Sequence, residues 1–280
     1  MVELCILYDK VRFEERSIYD TALKKGIRAR MTDAKTLTIS TNSDRQEFEL
    51  GDIILQRNVS HFRGLYLTAC LEFLGMPVIN KFRVSETCGN KLMTSIALAK
   101  HNVPTPKTYF AFSPEAAMEV IERVGFPIVL KPMIGSWGRG VCLLKDEEVA
   151  NMIIEMRAEN DNALGRIYYV QEMIERPPRD LRCIVVGDRL VAAGREWRTN
   201  VSRGGKSESA PITNELEQIA MRAAKAVGGG ILGVDLMEDN KKGFLVHEVN
   251  NTVEFRGASK VSNTDISEAI IDYALALVKR

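Results

Sequence analysis

Between two short apolar runs, FPIVLKP (residues 126–132) and VCLLK (residues 141–145), the chain places Gly135, Gly138 and Gly140 within six positions. Glycines this dense permit backbone that no other residue adopts cheaply, so the residues just after them limit which folds remain. A P-loop puts Lys-Ser or Lys-Thr after its last glycine and then opens a helix, whereas here Val141 and a strand-like run come next. The dinucleotide fingerprint fails too, because no glycine follows Gly140 at the required interval. A strand–loop–strand hairpin remains. It either turns tightly at the surface or folds over a triphosphate as a lid, presenting backbone N–H groups with no side chains in the way. Lys131, ending the first strand, would point into the same cleft.

The first ~85 residues alternate strand and helix signals, as a βαβ-type open sheet does. ELCILY and DIILQR read as strands; EERSIYDTALKKG and FRGLYLTACLEFLG read as helices ending at Gly26 and Gly75. SETCGNKLMTSIALAKHN reads as one helix. SPEAAMEVIERVG carries its own signposts: Ser113 as N-cap, Pro114 in the first turn and Gly125 as C-cap. Later, DLRCIVVGDRLVAAGREW reads as two strands meeting at Gly187-Asp188. Asn214 with Glu217 resembles a capping box. The expected division is an open α/β domain over 1–87, a central α+β unit with the glycine loop over 88–174, and a second α+β unit over 175–280.

Composition excludes several classes. The chain has 280 residues, 45% hydrophobic and 27% charged, and no stretch approaches the ~18 apolar residues of a membrane span. Its start carries no basic segment followed by an apolar core, which fits a mature cytoplasmic protein. Five scattered cysteines without a Cys-x-x-Cys pair read as reduced structural thiols. The net charge of +1 hides a basic stretch from Arg176 to Lys206, mostly arginine. Arginine suits planar phosphates and carboxylates. Trp197 is its one aromatic residue, too few for the interleaved platform that nucleic acid would need, so an anionic small molecule or acidic protein fits better.

ILGVDLMEDNKKGFLVHEVNN reads as a hairpin turning near Lys241. Asp235 then falls opposite His247 or Glu248, with Asn250 sharing Glu248's face. Two carboxylates and an amide suit Mg²⁺ or Mn²⁺. The same residues also suit a solvated outer face, and both readings stand on spacing alone. Strict alternation turns His247 away from Glu248, toward a packing role.

Lys91 in GNKLMTS, Lys131 in VLKP, the loop GSWGRG, VQEMIE, RDLRCIVV, NVSRGGK and VDLM…HEVN occur in this order. Together with IGSWGRG and HEVNNTVEFRG they resemble the ATP-grasp ligases, in the RimK-like branch. The nearest likeness is to the LysX/ArgX enzymes of carrier-protein-dependent lysine and arginine biosynthesis. The resemblance implies an α/β ATP-grasp fold whose two subdomains clamp ATP behind an N-terminal open sheet. It implies that Lys91 and Lys131 meet the nucleotide phosphates under a lid formed by Gly135, Ser136, Trp137, Gly138, Arg139 and Gly140. Gln171, Glu172, Met173 and Ile174 would read the adenine, with Glu175 or Asp180 near the ribose. Arg182, Arg195 and Asn200 would stand near the transferred phosphoryl group. Asn200, Val201, Ser202, Arg203, Gly204, Gly205 and Lys206 would surround phosphate and acceptor. Asp235, Glu248 and Asn250 become ligands of Mg²⁺ (two ions, with Mn²⁺ able to substitute), and Glu254, Gly257 and Ala258 substrate-side residues.

The implied reaction joins the amino group of glutamate or α-aminoadipate to the C-terminal glutamate of the small acidic carrier LysW through an acyl phosphate. Homo-oligomers, dimeric or tetrameric, go with the likeness. In these enzymes Asn-Ser or Asn-Thr after the EF-Arg/Lys motif goes with α-aminoadipate and Gly-Phe with glutamate. Gly257-Ala258 matches neither pair, which predicts acceptance of both amino acids. Two rivals are a RimK-type ligase adding glutamate to a ribosomal protein or small peptide, and a regulatory module that binds ATP without turning it over.

Overall fold

The computed structural model describes residues 2–42, 44–135, 138–159, 161–197 and 207–278. The chain opens with β1 (Glu3–Tyr8), α1 (Phe13–Lys24), β2 (Arg28–Asp33), β3 (Ile53–Gln56), α2 (His61–Phe73) and β4 (Val78–Ile79). These strands form a parallel sheet of order β2-β1-β3-β4. The chain steps from β1 to one side for β2 and to the other for β3. The carboxyl ends of β1 and β3 therefore flank the crevice where open α/β sheets take their ligands.

Two helices come next, α3 (Phe82–Cys88) and α4 (Lys91–Lys100). The sequence predicts one continuous helix here. The break comes at Gly89-Asn90, where the Asn90 side chain accepts from Leu92 N at 3.0 Å and Met93 N at 3.3 Å and starts a new helix as its N-cap. The central unit contains β5 (Thr108–Ala111), α5 (Pro114–Val124), β6 (Ile128–Lys131), β7 (Cys142–Leu144), α6 (Glu147–Ala158) and β8 (Tyr168–Glu172), with an antiparallel sheet of order β5-β8-β6-β7. Its helices close over Ile121, Ile128, Leu130, Leu144, Ile154 and Tyr168. Helix α5 begins as its sequence dictates, with Ser113 Oγ accepting from Ala116 N at 3.1 Å.

The last unit holds β9 (Arg179–Val186), β10 (Arg189–Trp197), β11 (Ser207–Ser209), α7 (Asn214–Ala226), β12 (Ile231–Asp239), β13 (Gly243–Asn250), α8 (Arg256–Ser259) and α9 (Ile266–Val278). Its antiparallel sheet runs β11-β10-β9-β12-β13. The cap of α7 is Thr213, whose hydroxyl accepts from Leu216 N at 3.2 Å, one residue before the expected Asn214. β9 shows why its sequence is a near-continuous apolar run: both of its faces are buried. Leu181, Cys183 and Val185 join Val84, Leu98 and Ala220 in one core, while Ile184 and Val186 join Leu4, Ile6, Leu55, Phe255 and Ile270 in another. The first sheet thus shares a core with the last. Among the described residues no helix is long and apolar enough to cross a membrane.

Candidate active site

One cleft of about 720 Å³, of ligand-pocket size, is lined by residues from all three units. From the central sheet, β6 delivers Lys131 at its last position. The side chain is buried, and Nζ donates to Gln171 Oε1 at 2.7 Å and lies 3.2 Å from His247 Nδ1. Gln171 is itself held, its Nε2 donating to Thr108 Oγ1 at 2.9 Å and Tyr169 Oη at 3.0 Å. Burial pushes the Lys131 ammonium down to about 8, against the pull of Glu248 in the other direction; nearby Lys91 and Arg176 add to the fall. A buried ammonium held by mainly neutral acceptors is poised for an incoming anion.

The β12–β13 hairpin brings Asp235 opposite Glu248 and Gly233 opposite Asn250. The register then slips: Leu236 pairs with Val246, leaving His247 as the extra residue of a bulge. A bulge breaks strict alternation. His247 and Glu248 consequently line the same cleft, and the expectation that His247 turns away from Glu248 is corrected. Asp235 accepts a bidentate pair from Arg182, Nε at 2.8 Å and Nη2 at 2.9 Å, and a further bond from Asn250 Nδ2 at 3.1 Å. Glu248 stands 3.6 Å from Lys91 Nζ. Burial pushes its carboxyl up; Lys91 pulls it back, and Asp235 raises it again. Lys91 Nζ also donates to Gly135 O at 2.6 Å, tying the glycine loop to the start of α4.

Among the described residues no group of three or more His, Cys, Asp and Glu side chains is arranged to hold a metal ion. The set at hand is two carboxylates and the Asn250 amide, all oxygen donors. Glu248 is disfavoured as an anion by burial and by its acidic neighbour, a cost a divalent cation would remove. These residues fit a hard ion such as Mg²⁺, which would share Asp235 with Arg182.

Of the loop residues, Gly135, Gly138 and Arg139 line the cleft. Gly138 and Gly140 adopt φ of 69° and 70°, where a side chain would be strained. Gly140 instead serves the hairpin's base: its carbonyl accepts from Arg157 Nη2 at 2.7 Å, while Arg157 Nη1 donates to Lys131 O at 3.1 Å. Ser136 and Trp137, and the whole run Asn200, Val201, Ser202, Arg203, Gly204, Gly205 and Lys206, lie outside the described residues. Gln171, Glu172, Met173 and Ile174 line the cleft together, as do Asp180, Arg182 and Glu254.

Some predicted residues stand elsewhere. Arg195 does not line the cleft and is paired with Glu238 at 3.1 Å, on the same carboxylate that Arg179 holds. Glu175 is also absent from the lining. Gly257 and Ala258 are buried in α8; Ala258 packs in the core with Phe255 rather than facing the cleft, because the short helix turns inward after Glu254. The sequence reading missed Arg12, Asn58 and His61, which reach the cleft from the first sheet, and Arg157, which braces the loop.

Known proteins resemble the chain along its length. The description of a RimK-like ATP-grasp domain matches residues 88–274, and that of a LysX preATP-grasp domain matches residues 4–87. The alpha-aminoadipate–LysW ligase LysX of Saccharolobus solfataricus is 34% identical over 274 residues, covering 96% of this chain and 99% of that protein. The glutamate–LysW ligase ArgX of Sulfolobus acidocaldarius is 34% identical over 228 residues, covering 79% and 81%. The crystal structure of a RimK domain protein, an ATP-grasp protein of Sphaerobacter thermophilus, superposes with a TM-score of 0.80 at 26% identity, over 98% of this chain and 99% of that one.

Proposed function

The chain belongs to the RimK-like ATP-grasp family, and on that premise we propose that it joins the amino group of α-aminoadipate or glutamate to the γ-carboxylate of a C-terminal glutamate on the carrier protein LysW. The enzyme is an ATP-dependent ligase by family. The carrier and the two amino acids come from the names of its relatives. One observation supports the reading most: Lys131 ends β6 in the same cleft as Asp235 and Glu248, in a chain that resembles LysX over nearly its full length.

In this reading Lys131 and Lys91 hold the nucleotide phosphates, the lid covers them, and Gln171 to Ile174 face the adenine. Asp235, Glu248 and Asn250 would hold Mg²⁺, or Mn²⁺ in its place, as two ions. The metal supplies charge neutralisation on the transferring phosphoryl group. Arg182, fixed on Asp235, keeps a guanidinium beside the carboxylate being activated. The closed lid protects the acyl phosphate from water until the amine attacks. Acceptance of both amino acids rests on their difference of one methylene, which discriminates by only ~1–3 kcal/mol, since Gly257 and Ala258 stand outside the cleft lining. The setting is the cytoplasm and the assembly a homo-oligomer.

The experiment is ADP release from wild-type protein given ATP, Mg²⁺, LysW and either amino acid. Release that requires both carrier and amino acid is the expected result. Release with glutamate and a ribosomal protein or peptide, but not with LysW, would transfer the assignment to the RimK-type reaction; ATP binding without any turnover would leave a regulatory module.

A further inference from the structure

β13 leaves its ladder at one residue, and the departure is anchored from outside the sheet. Val246 N donates at 2.8 Å to Pro104 O, in the segment leading into β5, and His247 is then the residue that the β12 register passes over. Beside active sites such bulges re-aim side chains. Strict alternation would turn His247 to the face opposite Glu248. The bulge instead turns it into the cleft, with Nδ1 at 3.2 Å from Lys131 Nζ.

That contact fixes the state of both groups. An ammonium has only donors, so Nδ1 presents its lone pair and the ring proton sits on Nε2. Gln171 supplies the other acceptor, Oε1 at 2.7 Å, and its amide is kept from flipping because Nε2 donates to Thr108 Oγ1 and Tyr169 Oη. The Tyr169 ring lies 5.7 Å from the same ammonium, and its hydroxyl is 3.0 Å from Ser95 Oγ. Lys131 is thus held by two neutral acceptors and a ring. The carboxylate of Glu248, one residue beyond His247, pairs with Lys91 at 3.6 Å instead. Glu248 already acts on Lys131 electrostatically. Without the imidazole it competes for the ammonium, and an ion pair there would draw Lys131 from the phosphates and occupy an oxygen donor suited to the metal.

We propose that His247 is a positioning residue, whose Nδ1 holds the Lys131 ammonium toward the nucleotide phosphates and away from Glu248. The bulge in β13 is the device that delivers it. This assignment rests on the ligase reading only for the contact between Lys131 and the phosphates.

The test is a double-mutant cycle on ADP binding to the full chain, read by calorimetry in EDTA so that no metal ion bridges the nucleotide to Glu248. Lys131→Met should weaken ADP binding about tenfold to a hundredfold. His247→Leu should weaken it about fivefold to twentyfold on its own, and less than about twofold beside Lys131→Met, because the imidazole acts through the lysine. His247→Asn, whose Oδ1 stands where Nδ1 does, should recover most of the affinity, which a role in packing alone would not allow. His247→Phe carries the cycle if the leucine variant unfolds. Equal losses in both backgrounds, no recovery with His247→Asn, or His247→Leu affinity within about twofold of wild type overturns the assignment. Unchanged ADP affinity in Lys131→Met would overturn the phosphate role of Lys131, and that of His247 with it. A failure of LysW-dependent ADP release touches neither result, since no carrier is present.

Discussion

Lys131 is the residue on which the chemistry turns, and its charge is its weak point. In the free cleft burial has brought it to about 8 from an ordinary 10.5, whereas bound phosphates favour the ammonium. Nucleotide binding should therefore take up a proton as pH rises past 8, and ATP affinity should decline over the same range. The folded state binds fewer protons than the unfolded chain between 8 and 10.5, so the contribution of this group to stability rises with pH across that window. Calorimetry of ATP-analogue binding at about pH 8.5–9 in buffers of different ionisation heat should detect proton uptake in wild type and none in Lys131→Met. The variant should also lose about a hundredfold or more in kcat/KM. At this scale, much of the site was legible. A lysine closing an apolar run before a glycine loop carries its own signal, as do acids spaced along a hairpin. Arg12 and Asn58 carried none, because polar residues following strands look like ordinary loop residues until topology shows which crevice they face.

At the scale of elements, two interruptions position the site, and both defeat simple periodicity. The β12–β13 bulge puts His247 and Glu248 in one cleft, and no period-two pattern announces a bulge. The α3–α4 break sets Lys91 at the start of a helix, and Gly89 at that break faces the His61 ring so closely that an added Cβ would lie 1.8 Å from its Cε1. Gly89→Ala should lower stability by roughly 1–3 kcal/mol in urea denaturation. The His61→Ala, Gly89→Ala double variant should regain most of it, and additive losses would show that the ring is not the obstacle. β2 was unreadable for a different reason: RARMTD is a half-exposed edge strand with mixed polarity. Arg157 ties both ends of the glycine hairpin from α6. Arg157→Ala should loosen the lid and let water reach the acyl phosphate, seen as ADP release exceeding amide formation; an unchanged ratio would deny it that role.

The whole molecule is held by a core that the sequence does not advertise. Alternating strands and helices implied an open sheet followed by α+β units. That Ile184 and Val186 would meet Leu4 and Ile6 depends on which faces pair across most of the chain, and local pattern is silent on that. The consequence is functional, since the shared core fixes the switch point of the first sheet against the Asp235–Glu248 hairpin and makes one cleft of parts far apart in sequence. The most direct measurement is the intact mass of LysW after incubation with this protein, ATP, Mg²⁺ and glutamate or α-aminoadipate, beside the same reaction with Glu248→Gln. The account predicts a carrier heavier by one amino-acid residue with either substrate, and no gain with the variant. An unmodified carrier with wild type, or an equal gain with Glu248→Gln, would contradict it.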